Sequence, residues 1–90
     1  MFRLFIRHKV RDFDEWRAGY EAGAHLRDQN GVVGHGVHTG IDDPNDITVW
    51  HDFETREAAE AFPGLPELTE AMDRIGVEGV PDVWITRTRV

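Results

Sequence analysis

Residues 2–10 (FRLFIRHKV) alternate with a period of two. Phe2, Leu4, Ile6, His8 and Val10 share one face, and Arg3, Phe5, Arg7 and Lys9 share the other. That period predicts a β-strand with one buried face. Phe13, Trp16, Tyr20, Ala24 and Arg27 then recur at helical spacing. They predict a helix capped by Asp12 or Asp14 and running to about Asn30, where Asn30 and Gly31 are residue types that tolerate a left-handed end. Gly19 and Gly23 lie within it, each lowering helix propensity by about 1 kcal/mol. Either a close packing contact requires them, or the helix is loosely held over a cavity.

Residues 32–40 (VVGHGVHTG) predict a second strand weakened by glycines, IDDPND a turn, and 47–54 (ITVWHDFE) a third strand. On the third strand Ile47, Val49, His51 and Phe53 face one way, and Thr48, Trp50, Asp52 and Glu54 the other. Thr55 can cap a short helix through Phe62, broken by Pro63 and Gly64. Pro66 opens another helix that Gly76 ends. GVEGVP reads as a connector, and 82–90 (DVWITRTRV) as the last strand.

The order β-α-β-β-α-β is the split unit of ferredoxin-like α+β domains. It predicts one domain over residues 1–90, with a four-stranded antiparallel sheet and both helical segments on one face. The first and third strands should be neighbours, with Arg3, Arg7 and Lys9 across from Asp52 and Glu54. Leu4, Ile6, His8, Val49, His51 and Phe53 then meet under the helices. The opposite face carries Phe5, Trp50 and, depending on register, Trp84 or Ile85. That is a large aromatic surface for so small a chain, and it predicts a homodimer in which two sheets face each other.

Ninety residues allow a single core, and the absence of cysteine removes disulfides and thiolate metal sites. A net charge of −7 repels phosphate backbones, so no nucleic-acid partner is expected. Apolar runs of a few residues fall far short of a membrane span. No membrane partner is expected, and a cytoplasmic location is the default. The glycines sit in strands, turns and caps and form no phosphate-binding loop, so no cofactor is expected.

Three segments, RHKVRDFDEW at 7–16, GVVGHGVHTGIDDPNDITVWHDFET at 31–55 and PELTEAMDRIGVEGVPDVW at 66–84, resemble the dimeric α/β-barrel superfamily. The resemblance points to its antibiotic biosynthesis monooxygenase-like and small polyketide cyclase-like members. It implies a dimeric barrel with a small-molecule site inside each monomer, between sheet and helices. It also implies what is missing. The tryptophan of haem-degrading members falls on Phe53, and their axial histidine falls near Phe62 or Pro63. The Tyr and His of plant polyketide cyclases fall on Phe62 and Leu68.

The remaining chemistry centres on histidine. His8 and His51 interrupt apolar strand faces and should point under the helices, where either can serve as a general base or merely sit at the rim of the core. His35 and His38 lie on opposite faces of one strand, so register decides which joins His51. A metal site of His8, His51 and one of these two is conceivable, but no pair at ligating spacing within one element supports it, and no metal is expected. His25 falls off the helix stripe and reads as solvated. Trp16, Tyr20, Phe53 and Phe62 are candidate walls for a ligand, or plain core. Arg27 can fix an anionic oxygen at the pocket mouth or reach out to solvent. The function expected is binding of a small apolar, aromatic or polyketide-like molecule. His51 and His8 would carry cofactor-independent oxygenation, cyclisation or isomerisation. The alternatives are a non-catalytic binding protein of the same fold and a His-ligated metal protein.

Overall fold

The computed structural model describes residues 1–89. Strand β1 spans Phe2–Val10, and its even-numbered side chains from Leu4 onward are buried. Helix α1 (Phe13–Ala22) starts at Asp12, whose carboxylate accepts from the Glu15 N–H at 2.9 Å. The helix predicted to run on to Asn30 is broken at Gly23, and α2 (Ala24–Gln29) continues it. Gly23 has no side chain to hold the turn, and its N–H is shared between the carbonyls of Gly19 and Tyr20. Gly31, at φ 82°, then turns the chain into β2 (Val32–Thr39). The acidic turn leads into β3 (Asp46–Phe53), followed by α3 (Arg56–Ala61), capped by Thr55. A single 3-10 turn at Phe62–Gly64 joins α3 to α4 (Pro66–Arg74).

The last strand, β4, runs Val77–Arg87, so the expected connector GVEGVP is part of it. Pairing with β1 jumps between Arg7↔Asp82 and Lys9↔Glu78, and the extra residues bulge out at Gly79, whose φ is 71°. The bulge lets Pro81 sit in an edge strand without a lost ladder bond. Val90, the last residue of the predicted strand, lies outside the described residues.

The strand order is β2-β3-β1-β4, all antiparallel neighbours, which is the ferredoxin-like α+β sheet. One face packs Leu4, Ile6, Val10, Ile47, Val49 and Phe53 against Trp16, Ala59 and Phe62 from the helical layer. At 25 cal/mol per Å² such burial is the main stabilising term. On the other face Arg3 sits opposite Asp52 and grips it with two bonds, of 2.7 and 2.9 Å. Arg7 and Lys9 do not meet Glu54, which follows the end of β3. Because the two strands run in opposite directions, they reach Asp46 and Asp43 instead.

That outer face is also more self-covered than its sequence suggests. The Arg3 guanidinium lies 3.8 Å from the centre of the Trp50 ring, which rests on Gly36, where a Cβ would collide with the indole. Phe5 pairs with Trp84, not Ile85, and the two rings stack with centroids 5.1 Å apart. Trp84 stays 43% exposed. Among the described residues, no helix is long and apolar enough to cross a membrane.

Candidate functional site

The alternation of β1 and β3 aims His8 and His51 into the helical layer, and both are buried. They form the floor of a cavity together with Ile6 and Val49. Trp16, Gly19 and Tyr20 of α1, then Gly23, Leu26 and Arg27 of α2, make one wall. Phe62 and the α4 side Leu68, Ala71 and Met72, with Ile75, close the top. The α4 spacing 68, 71, 72, 75 is itself a helical stripe, a signal in the sequence that marks this ceiling.

The two glycines take the two roles open to them. A Cβ on Gly19 would collide with the Ile75 Cγ2 methyl, so α1 and the end of α4 touch there. Gly23 has only backbone carbonyls near its missing side chain and leaves the wall thin. The space they line opens in part to the surface and is about 60 Å³, no more than a few waters' worth. A groove of about 290 Å³ between α1–α2 and α4 adjoins it, sharing Gly19, Gly23, Leu26, Ala71 and Ile75. His25, exposed, belongs to the rim of this groove and not to the cavity. A larger molecule therefore fits by extending into the groove or by parting these helices.

Burial holds both floor histidines neutral. The His8 imidazole is pushed down to about 4, with the Asp46 carboxylate pulling weakly the other way. His51 is also pushed down to about 4 by burial, helped by the Arg27 and His35 charges and opposed by Asp52. Neither ring nitrogen of His8, nor Nδ1 of His51, has a hydrogen-bond partner in the protein. Buried polar atoms are rarely left so, and each calls for a partner such as a catalytic proton, a ligand or a water.

Register settles the histidine of β2. The hairpin turn fixes one register from Gly34 to Thr39, with His35 opposite His51 on the inner face and His38 opposite Thr48 on the outer face, and the bulge at Val32–Gly34 shifts only the residues before it. The His35 and His51 rings lie 6.3 Å apart and nearly parallel. His35 Nδ1 and the Tyr20 hydroxyl share a hydrogen bond of 2.8 Å. Burial lowers the His35 pKa, with Arg27 and Arg17 acting in the same direction. It raises that of Tyr20, against the Arg27 charge. Among the described residues, no group of three or more His, Asp or Glu side chains could hold a metal ion.

Trp16 and Tyr20 stack at 4.9 Å along the wall, and His51 packs on Phe62 at 5.1 Å. Phe53 is fully buried behind Phe62 and belongs to the core rather than the cavity wall. Arg27 does not reach into solvent. It is 8% exposed, donates from Nη1 to the Tyr20 carbonyl at 2.8 Å, and lies 4.2 Å from the Tyr20 ring centre.

No protein-family model matches the chain. No curated protein sequence matches it either. Solved structures do match in shape. An antibiotic biosynthesis monooxygenase from Bordetella bronchiseptica, so described in its structure, superposes with a TM-score of 0.82 at 18% identity, over 99% of this chain and 97% of that one. SnoaB, a cofactor-independent oxygenase from Streptomyces nogalater, superposes with a TM-score of 0.78 at 14% identity, over 99% and 93%. Rv0793 from Mycobacterium tuberculosis gives 0.72 at 15% identity, over 99% and 95%. Across nearly its full length, this chain therefore has the fold of the antibiotic biosynthesis monooxygenase-like proteins.

Proposed function

We propose that the chain binds a small, largely apolar or aromatic molecule between sheet and helices and acts on it without a cofactor. The observation that carries this reading is the pair of buried histidines, His51 and His8, held neutral with unpartnered ring nitrogens on the wall of a cavity. A neutral imidazole in a water-poor site is a general base ready to accept a proton. His51 takes it from a phenol or an acidic C–H, and the imidazolium so formed stays beside the anion that raised it. Arg27 and Tyr20, on the adjoining wall, stabilise the oxyanion. An anion of this kind reprotonates elsewhere, giving isomerisation, attacks a carbonyl carbon of the same molecule, giving cyclisation, or passes electrons to dioxygen. The fold shared with SnoaB, named as a cofactor-independent oxygenase, favours the last course.

The molecule works as a homodimer on this reading. Phe5, half-buried, and Trp84, exposed, form a stacked pair on the outer sheet face, and a second copy of that face would cover it.

The test is a single-residue comparison. Oxygen uptake and product formation are followed with 1,4-dihydroxynaphthalene under air, for the native protein and for His51→Asn and His8→Asn. Loss of turnover by about 10²-fold or more in His51→Asn, with binding kept, is the expected result. Binding without turnover by the native protein would mark it as a non-catalytic ligand carrier. Undiminished turnover in both variants would remove the histidines from the chemistry.

A further inference from the structure

Resting on the cavity reading above, we infer that the bound molecule carries a carboxylate held by Arg27, on a small apolar body. Arg3, Arg7, Arg11, Arg17 and Arg56 each pair with an Asp or Glu. Arg27 is more deeply buried than any of them, and among the described residues no carboxylate pairs with it. Arginine is almost never this buried without an ionic partner. Its protein contacts are one backbone carbonyl and the face of Tyr20, and its remaining N–H donors, which are not sealed from water, are free to take an anion.

The surroundings select the anion. His51, the buried ionisable group beside Arg27 on the sheet, is held neutral, pushed down to about 4 by burial, so it adds no second cation. A monoanion balances one guanidinium, whereas a phosphate dianion would be left with an unmatched charge in an apolar enclosure. The planar fork of the guanidinium fits a carboxylate with two parallel bonds. Leu26, Phe62 and Met72 line the same space and offer only apolar contact, which is where the body of the molecule lies. A permanent carboxylate meets these donors in the ground state, which a transient oxyanion does not.

Matched pairs of probes test this: butyrate against butyramide, and benzoate against benzamide. Each is titrated at low salt into isotope-labelled protein, reading the Arg27 Nε–H and the His51 ring signals. Within a pair, the carboxylate should bind about tenfold or more tightly. In Arg27→Gln that preference should fall to about twofold or less, and Arg27→Lys, which keeps the charge without the fork, should retain part of it. Amides binding as well as carboxylates at these residues would overturn the carboxylate assignment and leave the cavity reading standing. So would an undiminished preference in folded Arg27→Gln or, should that variant not fold, a preference fully kept in Arg27→Lys. A folded native protein in which no probe moves these signals would overturn both.

Discussion

The Tyr20 hydroxyl and His35 Nδ1 share a hydrogen bond of 2.8 Å that ties the last turn of α1 to the edge strand β2. It holds the wall of the cavity against the sheet beside His51, whose ring lies 6.2 Å from that of Tyr20. Tyr20→Phe keeps the stacking on Trp16 and removes only this bond. The expected cost is about 0.5–1 kcal/mol in denaturant unfolding, with a larger relative loss in ligand affinity. Equal affinity in the variant would show that α1 needs no such tie.

Stability should fall in acid above the carboxylate range. His8 and His51 are held at about 4 in the folded protein, against an ordinary value of 6.5. The unfolded chain therefore binds more protons between these values, and folding weakens as pH drops from about 6.5 to 4. Each histidine withdraws up to ~1.4 kcal/mol per pH unit across that window. Asp43 and Asp46, whose pKa values are lowered by Lys9 and Arg7, contribute only below it. Urea unfolding at a series of pH values should show this slope, and His8→Asn should flatten it by about half.

Gly19→Ala should destabilise despite the better helix former. Alanine gains up to about 1 kcal/mol in a helix interior. Its methyl would collide with Ile75 Cγ2, and overpacking of this kind costs about 1–3 kcal/mol. Adding Ile75→Ala removes the methyl it strikes, so the double variant should lose less than the two single losses combined.

Trp84→Glu tests the second copy. The residue is half-exposed and stacks on Phe5, so its loss costs the monomer little core. Sedimentation should change from dimer to monomer, and thermal stability should lose its dependence on protein concentration. A dimer unaffected by this charge would place the interface elsewhere.

The strands that build the site were legible because their alternation is strict. FRLFIRHKV and ITVWHDF each put one face inward, and that fixes His8 and His51 without further information. The choice between His35 and His38 was not legible, since it turns on the hairpin register set between Thr39 and Asp46, where an Asp-rich turn can close in more than one way. The same holds for β4, where Gly79 and Pro81 look like a connector and are in fact a bulge inside a strand. Gly23 breaks the first helix because glycine cannot hold the turn, whereas the periodicity carried one helix through it to about Asn30. Arg27 was left open between an anion site and a solvated tip, and only packing of α2 over Tyr20 decides that it is buried.

The central claim is that His51 is a neutral base on the wall of a ligand cavity. Imidazole ¹⁵N spectra recorded from pH 3 to 8, with and without a bound phenol such as 1,4-dihydroxynaphthalene kept anaerobic, test it most directly. His51 should stay neutral down to about pH 4, and the phenol should move its ring signals while leaving those of His25 and His38 in place. A His51 that titrates near 6.5, or one whose signals ignore the phenol, would contradict it.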